Sequence, residues 1–291
     1  MRVLKLGFAD MVDSIAEFFI DTLSHRYKII RDDMNPEYLI FGDKNFGNNN
    51  IRFNQTTTTK IFYTGENQRF WDYQCEYAIT FDHFDIPSHY RLPLYVIYEH
   101  DNNKRGVSSA KTRMRSIDDL REERKFCSFV VKNGVCEKRN SFFRKLNEYK
   151  PVSSGGPLFN NIGYVLPRGD NSVQSKFAFL DKHKFNLCFE NASWPGYTTE
   201  KLYDALVCKT VPIYWGSPTI DVDFNGQAFL NWHDFLDDEK FMKAIQEVDA
   251  DDDLYLYMYR QPMFTHTAQK FMSTDRFLNW FDANVWKGPS E

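Results

Sequence analysis

Lys184-Phe-Asn-Leu-Cys-Phe-Glu-Asn191, Gly196-Tyr-Thr-Thr-Glu-Lys201 and Val211-Pro-Ile-Tyr-Trp-Gly216 read together as one βαβ unit. The first is an apolar run of strand length ending in Glu190-Asn191. A short loop with Pro195 and Gly196 follows. Thr198 or Thr199 can cap a helix whose first turn carries Glu200 and Lys201. Leu202, Ala205, Leu206 and Val207 supply its buried stripe. That helix must end before Pro212, and Val211–Trp215 reads as the next strand. In open α/β sheets, ligands sit beyond the carboxyl ends of strands, where helix N-termini present free N–H groups. Glu190–Lys201 is therefore the expected seat of a phosphorylated ligand.

Outward from this unit the alternation continues. Upstream, strands are expected at Val3–Phe8, Tyr27–Ile30, Tyr38–Gly42, Lys60–Gly65 and Tyr77–Phe81. Val12–Leu23 forms an amphipathic helix with Ile15, Phe18, Phe19 and Leu23 on one face. Asp43–Asn54 reads as a loop, and Arg91-Leu-Pro-Leu-Tyr95 opens a further segment. Phe126–Val131 starts a second α/β half, followed by a helix over Arg139–Tyr149 with Phe142, Phe143 and Leu146 inward. Phe177–Leu180 leads into the opening unit, and Thr267–Trp280 is a C-terminal helical stretch. Between the halves, residues 101–125 turn polar, with Arg105, Lys111, Arg113, Arg115 and Arg121, and read as a solvated connection. The fold class is α/β: two Rossmann-like domains facing a central cleft. Residues 1–122 are expected to form the first domain and 123–270 the second, with 271–291 packing back on the first.

Composition narrows the function. The chain has 291 residues, 42% of them hydrophobic, enough for two such cores. A formal net charge of −4 gives no global attraction to nucleic acid, and no nucleic-acid partner is expected. Cys75, Cys127, Cys136, Cys188 and Cys208 are scattered and form no CxxC pair, so they read as reduced, mostly buried thiols. The N-terminus does not read as a signal peptide, and no apolar run reaches about 18 residues. A cytoplasmic chain is expected, associating with the inner membrane face only through segments not present here. No GxGxxG or GxxxxGK[ST] appears. Asp221-Val-Asp223 and Asp251-Asp-Asp253 carry DxD spacing, but two-acid spacing is common by chance. The histidines lack metal-ligand spacing, so no metal is assigned.

The three opening motifs, taken with Phe62-Tyr-Thr-Gly-Glu-Asn67, Tyr77-Ala-Ile-Thr-Phe-Asp82, Arg91-Leu-Pro-Leu-Tyr95 and Lys138-Arg-Asn140, resemble the GDP-fucose-dependent α1,3/4-fucosyltransferases, most closely their soluble bacterial branch. The likeness runs in the family's order over most of the chain. It implies a GT-B fold and inverting, metal-independent transfer of fucose to a GlcNAc hydroxyl of an N-acetyllactosamine-type glycan, giving Lewis-type products. GDP-fucose is then a donor substrate, no cofactor is required, and an oligosaccharide is the partner. Arg139 and Lys201 match the residues that neutralise the leaving diphosphate. Glu66 matches the general base, and Glu200 the acid at the donor fucose. Asn191 and Tyr197 match donor contacts, with Tyr164 a further candidate for the base or ribose.

On the residues alone several readings stay open. Arg139 reads equally as a surface arginine, Glu66 as a turn cap, and Glu200 as a helix-start acid favoured by the macrodipole. Glu190 is a rival base by position, or an orienting group for the loop. The alternative activity is a GT-B transferase using another nucleotide sugar or another acceptor. Ala192-Ser-Trp-Pro195 departs from the family pattern beside the donor motif, and residues 101–125 match it poorly. Acceptor choice, linkage ratio and oligomeric state are not encoded in any motif.

Overall fold

The computed structural model describes residues 2–104, 124–167, 172–208 and 210–288. The basic cluster at Arg105, Lys111, Arg113, Arg115 and Arg121 lies outside them. By contacts the chain divides into two compact units, Met1–Val107 with Gln269–Glu291, and Ser108–Ala268.

The first unit is a six-stranded sheet. Its strands are β1 (Arg2–Ala9), β2 (Tyr27–Arg31), β3 (Tyr38–Phe41), β4 (Thr59–Tyr63), β5 (Tyr77–Thr80) and β6 (His89–Arg91). Their spatial order is β2-β1-β3-β4-β5-β6, and each pair is parallel. Parallel strands are covered on both faces, which is why β3 is apolar and buried throughout. Helix α1 (Asp13–Ser24) joins β1 to β2 and buries Phe18, Phe19 and Leu23. Helix α2 (Leu94–Lys104) follows β6. β1 has β2 on one side and β3 on the other, so the strand order reverses there. The crevice at the carboxyl ends of β1 and β3 is this unit's natural ligand site.

The second unit holds five parallel strands in the order β11-β10-β9-β7-β8. They are β7 (Lys125–Phe129), β8 (Val152–Ser154), β9 (His183–Phe189), β10 (Val211–Trp215) and β11 (Leu230–Asn231). Helix α3 (Glu137–Tyr149) connects β7 to β8, α4 (Ser172–Leu180) precedes β9, and α5 (Glu200–Val207) joins β9 to β10. Here the order reverses between β7 and β9. The core is aromatic: Phe142 stacks on Phe189 at 4.7 Å, and Phe129 lies 4.8 Å from Phe143. Helices α6 (Asp238–Ala250) and α7 (Asp252–Tyr259) close one face with Phe241, Ile245 and Tyr255.

Three local expectations need revision. The Asp43–Asn54 loop contains two short 3-10 turns, Lys44–Phe46 and Asn49–Phe53. The C-terminal stretch is not one helix. It breaks into α8 (His266–Phe271) and α9 (Thr274–Trp280) because Ser273 is extended and starts a new helix, and a π turn Phe281–Val285 follows. Thr199 occupies the N-cap position of α5, but its side chain makes no capping bond. Among the described residues no helix is long and apolar enough to cross a membrane.

Candidate functional site

In the second unit the site grows from two strand ends. β9 ends at Phe189, and Glu190 donates its N–H to the Trp215 carbonyl at 2.8 Å, which carries the ladder one step further. The Glu190 side chain is fully buried. Space for it exists because residue 216 is glycine: a Cβ there would stand 2.6 Å from Glu190 Cγ and 2.5 Å from the Tyr214 hydroxyl. Glu190 Oε1 accepts from the Thr199 N–H at 2.8 Å. Its Oε2 accepts from the Thr199 hydroxyl at 2.7 Å and from Lys201 Nζ at 3.0 Å. Lys201 Nζ also donates to Thr199 Oγ1 at 2.8 Å. The Thr199 hydroxyl thus donates to a buried carboxylate, and its oxygen accepts from the Lys201 ammonium instead of from a helix N–H. Of the two readings of Glu190, this geometry makes it the group that fixes the loop and the start of α5.

The loop itself is pinned by its glycine. Gly196 is left-handed, at φ 83°, and its N–H reaches Ser217 Oγ at 2.8 Å and Thr219 Oγ1 at 3.1 Å. The Trp194 carbonyl accepts from the Tyr197 N–H at 3.0 Å, closing the turn that the Ala192–Pro195 insert makes.

Arg139 comes from the other side of the reversal. It precedes Phe142 and Phe143 by three and four residues, so it shares their sheet-facing side of α3. It is fully buried, not a surface arginine. One guanidinium nitrogen donates to Asn191 Oδ1 at 2.6 Å and another to the Asn133 carbonyl. Both acceptors are neutral, and Nε has no partner. Among the described residues no carboxylate pairs with this guanidinium. Burial pulls its pKa below the usual guanidinium range, a sign of incomplete charge compensation. Tyr197, wholly buried, lies within electrostatic reach of it.

A second ring of charge surrounds α5. Lys176 on α4 pairs with Asp204 at 2.6 Å and Glu200 at 3.9 Å. Burial pushes the Glu200 carboxyl up, but Lys201 and Lys176 outweigh it and hold the pKa at about 2. Burial pulls the Lys201 ammonium down, and Glu190 and Glu200 more than reverse this. Glu200 is ionised, with 35% of its side chain open to solvent. Lys176, Asp204, Thr199 and Gly216 also belong to this constellation; from the sequence, Thr199 had only a capping role and the other three no place in the site. The glycine directly after a strand was the one available signal.

Not every candidate joins this cluster. Tyr164 is 58% exposed and lines a hollow of about 570 Å³ with Lys125, Pro151, Phe179 and His183, at the amino ends of the strands. Asp251 accepts from the N–H groups of Asp253 and Leu254, so that DxD stretch starts α7. Among the described residues no group of three His, Cys, Asp or Glu could hold a metal ion.

Glu66 lies in the first unit, just past β4. Its backbone is tied by Thr64, whose hydroxyl accepts from the Glu66 N–H at 3.0 Å. The side chain is exposed and lines a hollow of about 140 Å³ at the carboxyl ends of β1, β3 and β4. Gly65 packs tightly here, since a Cβ would stand 2.8 Å from Leu94 Cδ1.

Comparison with known proteins identifies the family. Residues 120–280 match "Glycosyltransferase family 10 (fucosyltransferase) C-term", and residues 4–98 match "Alpha-(1,3)-fucosyltransferase FucT N-terminal domain". The chain is 33% identical over 273 residues to "Alpha-(1,3)-fucosyltransferase FucT" of Helicobacter pylori, covering 84% of this chain and 55% of that protein. The chain therefore spans about half the length of that relative. A crystal structure of an α1,3-fucosyltransferase superposes with a TM-score of 0.79 at 29% identity, covering 97% of this chain and 90% of the other. One of an α1,3-fucosyltransferase with GDP-fucose superposes with a TM-score of 0.78 at 28% identity, covering 100% and 92%. The GT-B type of those structures is the type of this fold.

Proposed function

Because this chain belongs to glycosyltransferase family 10, the fucosyltransferases, we propose that it transfers L-fucose from GDP-fucose to a GlcNAc hydroxyl of an N-acetyllactosamine-type glycan. The observation that carries the proposal is Arg139: a fully buried guanidinium whose acceptors, Asn191 Oδ1 and the Asn133 carbonyl, are neutral and whose Nε is unpartnered. A buried charge that is only partly compensated is costly, and a diphosphate beside it removes that cost. Lys201 cannot do the same alone, since Glu190 already engages it. Glu190 instead holds Lys201 and the Thr199 backbone at the start of α5 in fixed directions before the donor arrives.

In the proposed reaction the acceptor O–H bond breaks and its proton passes to the Glu66 carboxylate. The acceptor oxygen bonds to C1 of fucose. The bond from C1 to the diphosphate breaks, and GDP leaves with the electron pair. Single displacement inverts C1. Arg139 and Lys201 stabilise the charge growing on the diphosphate, and ionised Glu200 the positive charge growing at C1. Asn191 orients Arg139 through its side-chain oxygen. The donor is consumed as substrate, so no resident cofactor enters the scheme.

Calorimetric titration with GDP-fucose, GDP-mannose and UDP-galactose tests the donor. Tightest binding of GDP-fucose is expected. Equal binding of UDP-galactose would contradict the proposal. Transfer that persists in EDTA is expected from charge supplied by Arg139 and Lys201, and strict dependence on Mn²⁺ would contradict that part.

A further inference from the structure

Glu200 stands between two lysines, each of which has a closer partner. Lys201 Nζ lies 3.7 Å from Glu200 and 3.0 Å from Glu190. Lys176 Nζ lies 3.9 Å from Glu200 and 2.6 Å from Asp204. Five charges thus alternate in one chain: Glu190, Lys201, Glu200, Lys176 and Asp204. At 3.7 and 3.9 Å the contacts to Glu200 are too long for hydrogen bonds, so the lysines steady its charge without taking up its oxygens. Four of the five groups come from the end of β9 and from α5, and Lys176 alone reaches in from α4. Its side chain is 20% exposed and that of Asp204 12%, so solvent screens the pair poorly.

Asp204 shows why a cation from outside the helix is needed. It follows Glu200 by four residues, so the two carboxylates share one face of α5 and repel. Lys201 is the single cation on that helix. Burial pushes the Asp204 carboxyl up, Lys176 draws it down and Glu200 pushes it up again. Burial pulls the Lys176 ammonium down, and Asp204 and Glu200 more than reverse this. In the transfer proposed above, Lys201 turns part of its charge to the diphosphate. Glu200 then keeps Lys176 as its remaining counter-ion, at a distance set by the pairing with Asp204.

We propose that Lys176 is a positioning residue for fucosyl transfer: anchored by Asp204, it keeps Glu200 charged and aimed at the donor sugar while Lys201 serves the diphosphate. The assignment rests on the reading of Glu200 as the carboxylate beside C1 of fucose, and deepens it. A strut that merely ties α4 to α5 behaves differently. Its loss lowers stability and weakens donor binding in general. Loss of a residue that acts through Glu200 slows transfer and spares the affinity for GDP, which carries the diphosphate but no sugar.

Transfer kinetics with GDP-fucose and N-acetyllactosamine, together with GDP titration, test this in a double-mutant cycle. Glu200→Gln should lower kcat by about 10²- to 10³-fold, the usual effect of removing one charge-stabilising group. Lys176→Met should lower it by roughly 10- to 100-fold, in the range of coupled neighbours, with GDP affinity close to wild type. Lys176→Arg should restore most of the rate. Lys176→Met/Glu200→Gln should be no slower than Glu200→Gln alone, because the carboxylate through which Lys176 acts is already gone. If Lys176→Met folds poorly with Asp204 stranded, Lys176→Met/Asp204→Asn removes both charges and carries the same prediction. Losses that multiply in the cycle, or a GDP affinity that falls in step with kcat, would overturn the assignment and leave the role of Glu200 standing. Full activity of Glu200→Gln would overturn the reading of Glu200, and this assignment with it.

Discussion

Replacing Lys201 with Met removes the cation that faces a fully buried carboxylate. Glu190 has 0% exposure, and Lys201 is 11% exposed. Breaking one side of a buried ion pair costs about 3–5 kcal/mol, because the other charge stays buried without compensation. At about 2–4 °C per kcal/mol for a domain of this size, Tm should fall by roughly 6–20 °C. The remaining bonds from Thr199 do not neutralise the charge. If the cost comes from the stranded carboxylate, neutralising it should recover most of the loss. Glu190→Gln keeps an oxygen for the Thr199 N–H and carries no charge. The double variant Glu190→Gln/Lys201→Met should therefore be more stable than Lys201→Met by about 2 kcal/mol or more. Calorimetric unfolding at pH 7 of wild type, both single variants and the double variant closes the cycle. Equal stability of Lys201→Met and the double variant would refute the claim that Glu190 is a buried charge held by Lys201.

Other consequences can be measured alongside. Arg139→Lys keeps the charge but loses the planar fork, and each lost charged hydrogen bond is worth about 1.5–3 kcal/mol. GDP affinity should fall by roughly 10- to 150-fold in titration, and an unchanged Kd would remove Arg139 from the donor site. Gly216→Ala forces a methyl against Glu190 and Tyr214, which should cost about 1–3 kcal/mol and weaken GDP binding together. Glu200 has its folded pKa depressed from 4.5 to about 2, so its stabilisation is complete above about pH 4.5 and lost as pH falls towards 2. Burial holds His183 neutral, with its pKa lowered from 6.5 to about 4, so stability also declines between those values as the unfolded chain takes up the proton first. Glu200→Gln should flatten the lower step alone. An unchanged acid profile would contradict the assigned pairings.

Much of this architecture is written locally in the chain. β9, α5 and β10 follow from apolar runs cut by Gly196 and Pro212: β10 has its expected bounds, α5 starts right after Thr199, and β9 ends at Phe189, short of Glu190-Asn191. The burial of Arg139 was implicit in its spacing from Phe142 and Phe143, although a single arginine read equally as surface. What local pattern does not carry is which groups the sheets bring together. Thr199 looks like a capping residue in one dimension. Glu190, nine residues earlier, captures its hydroxyl only because β9 and β10 pair in register from Val211↔Phe185 to Trp215↔Phe189. The crevice lined by Glu66 depends on β3 lying beside β1, a strand order no periodicity reveals. The break at Ser273 falls at Ser273-Thr274-Asp275, a helix-start signal inside the stretch read as one helix.

The central claim is fucosyl transfer with Glu66 as the base. Purified protein with GDP-fucose and N-acetyllactosamine, followed by mass spectrometry and NMR linkage assignment, tests it against Glu66→Gln. Expected is one α-linked fucose on O3 of GlcNAc per GDP released. The variant should retain GDP affinity and lose about 10²- to 10⁴-fold in kcat. Undiminished transfer by the variant, or no transfer from GDP-fucose by the wild type, would contradict it.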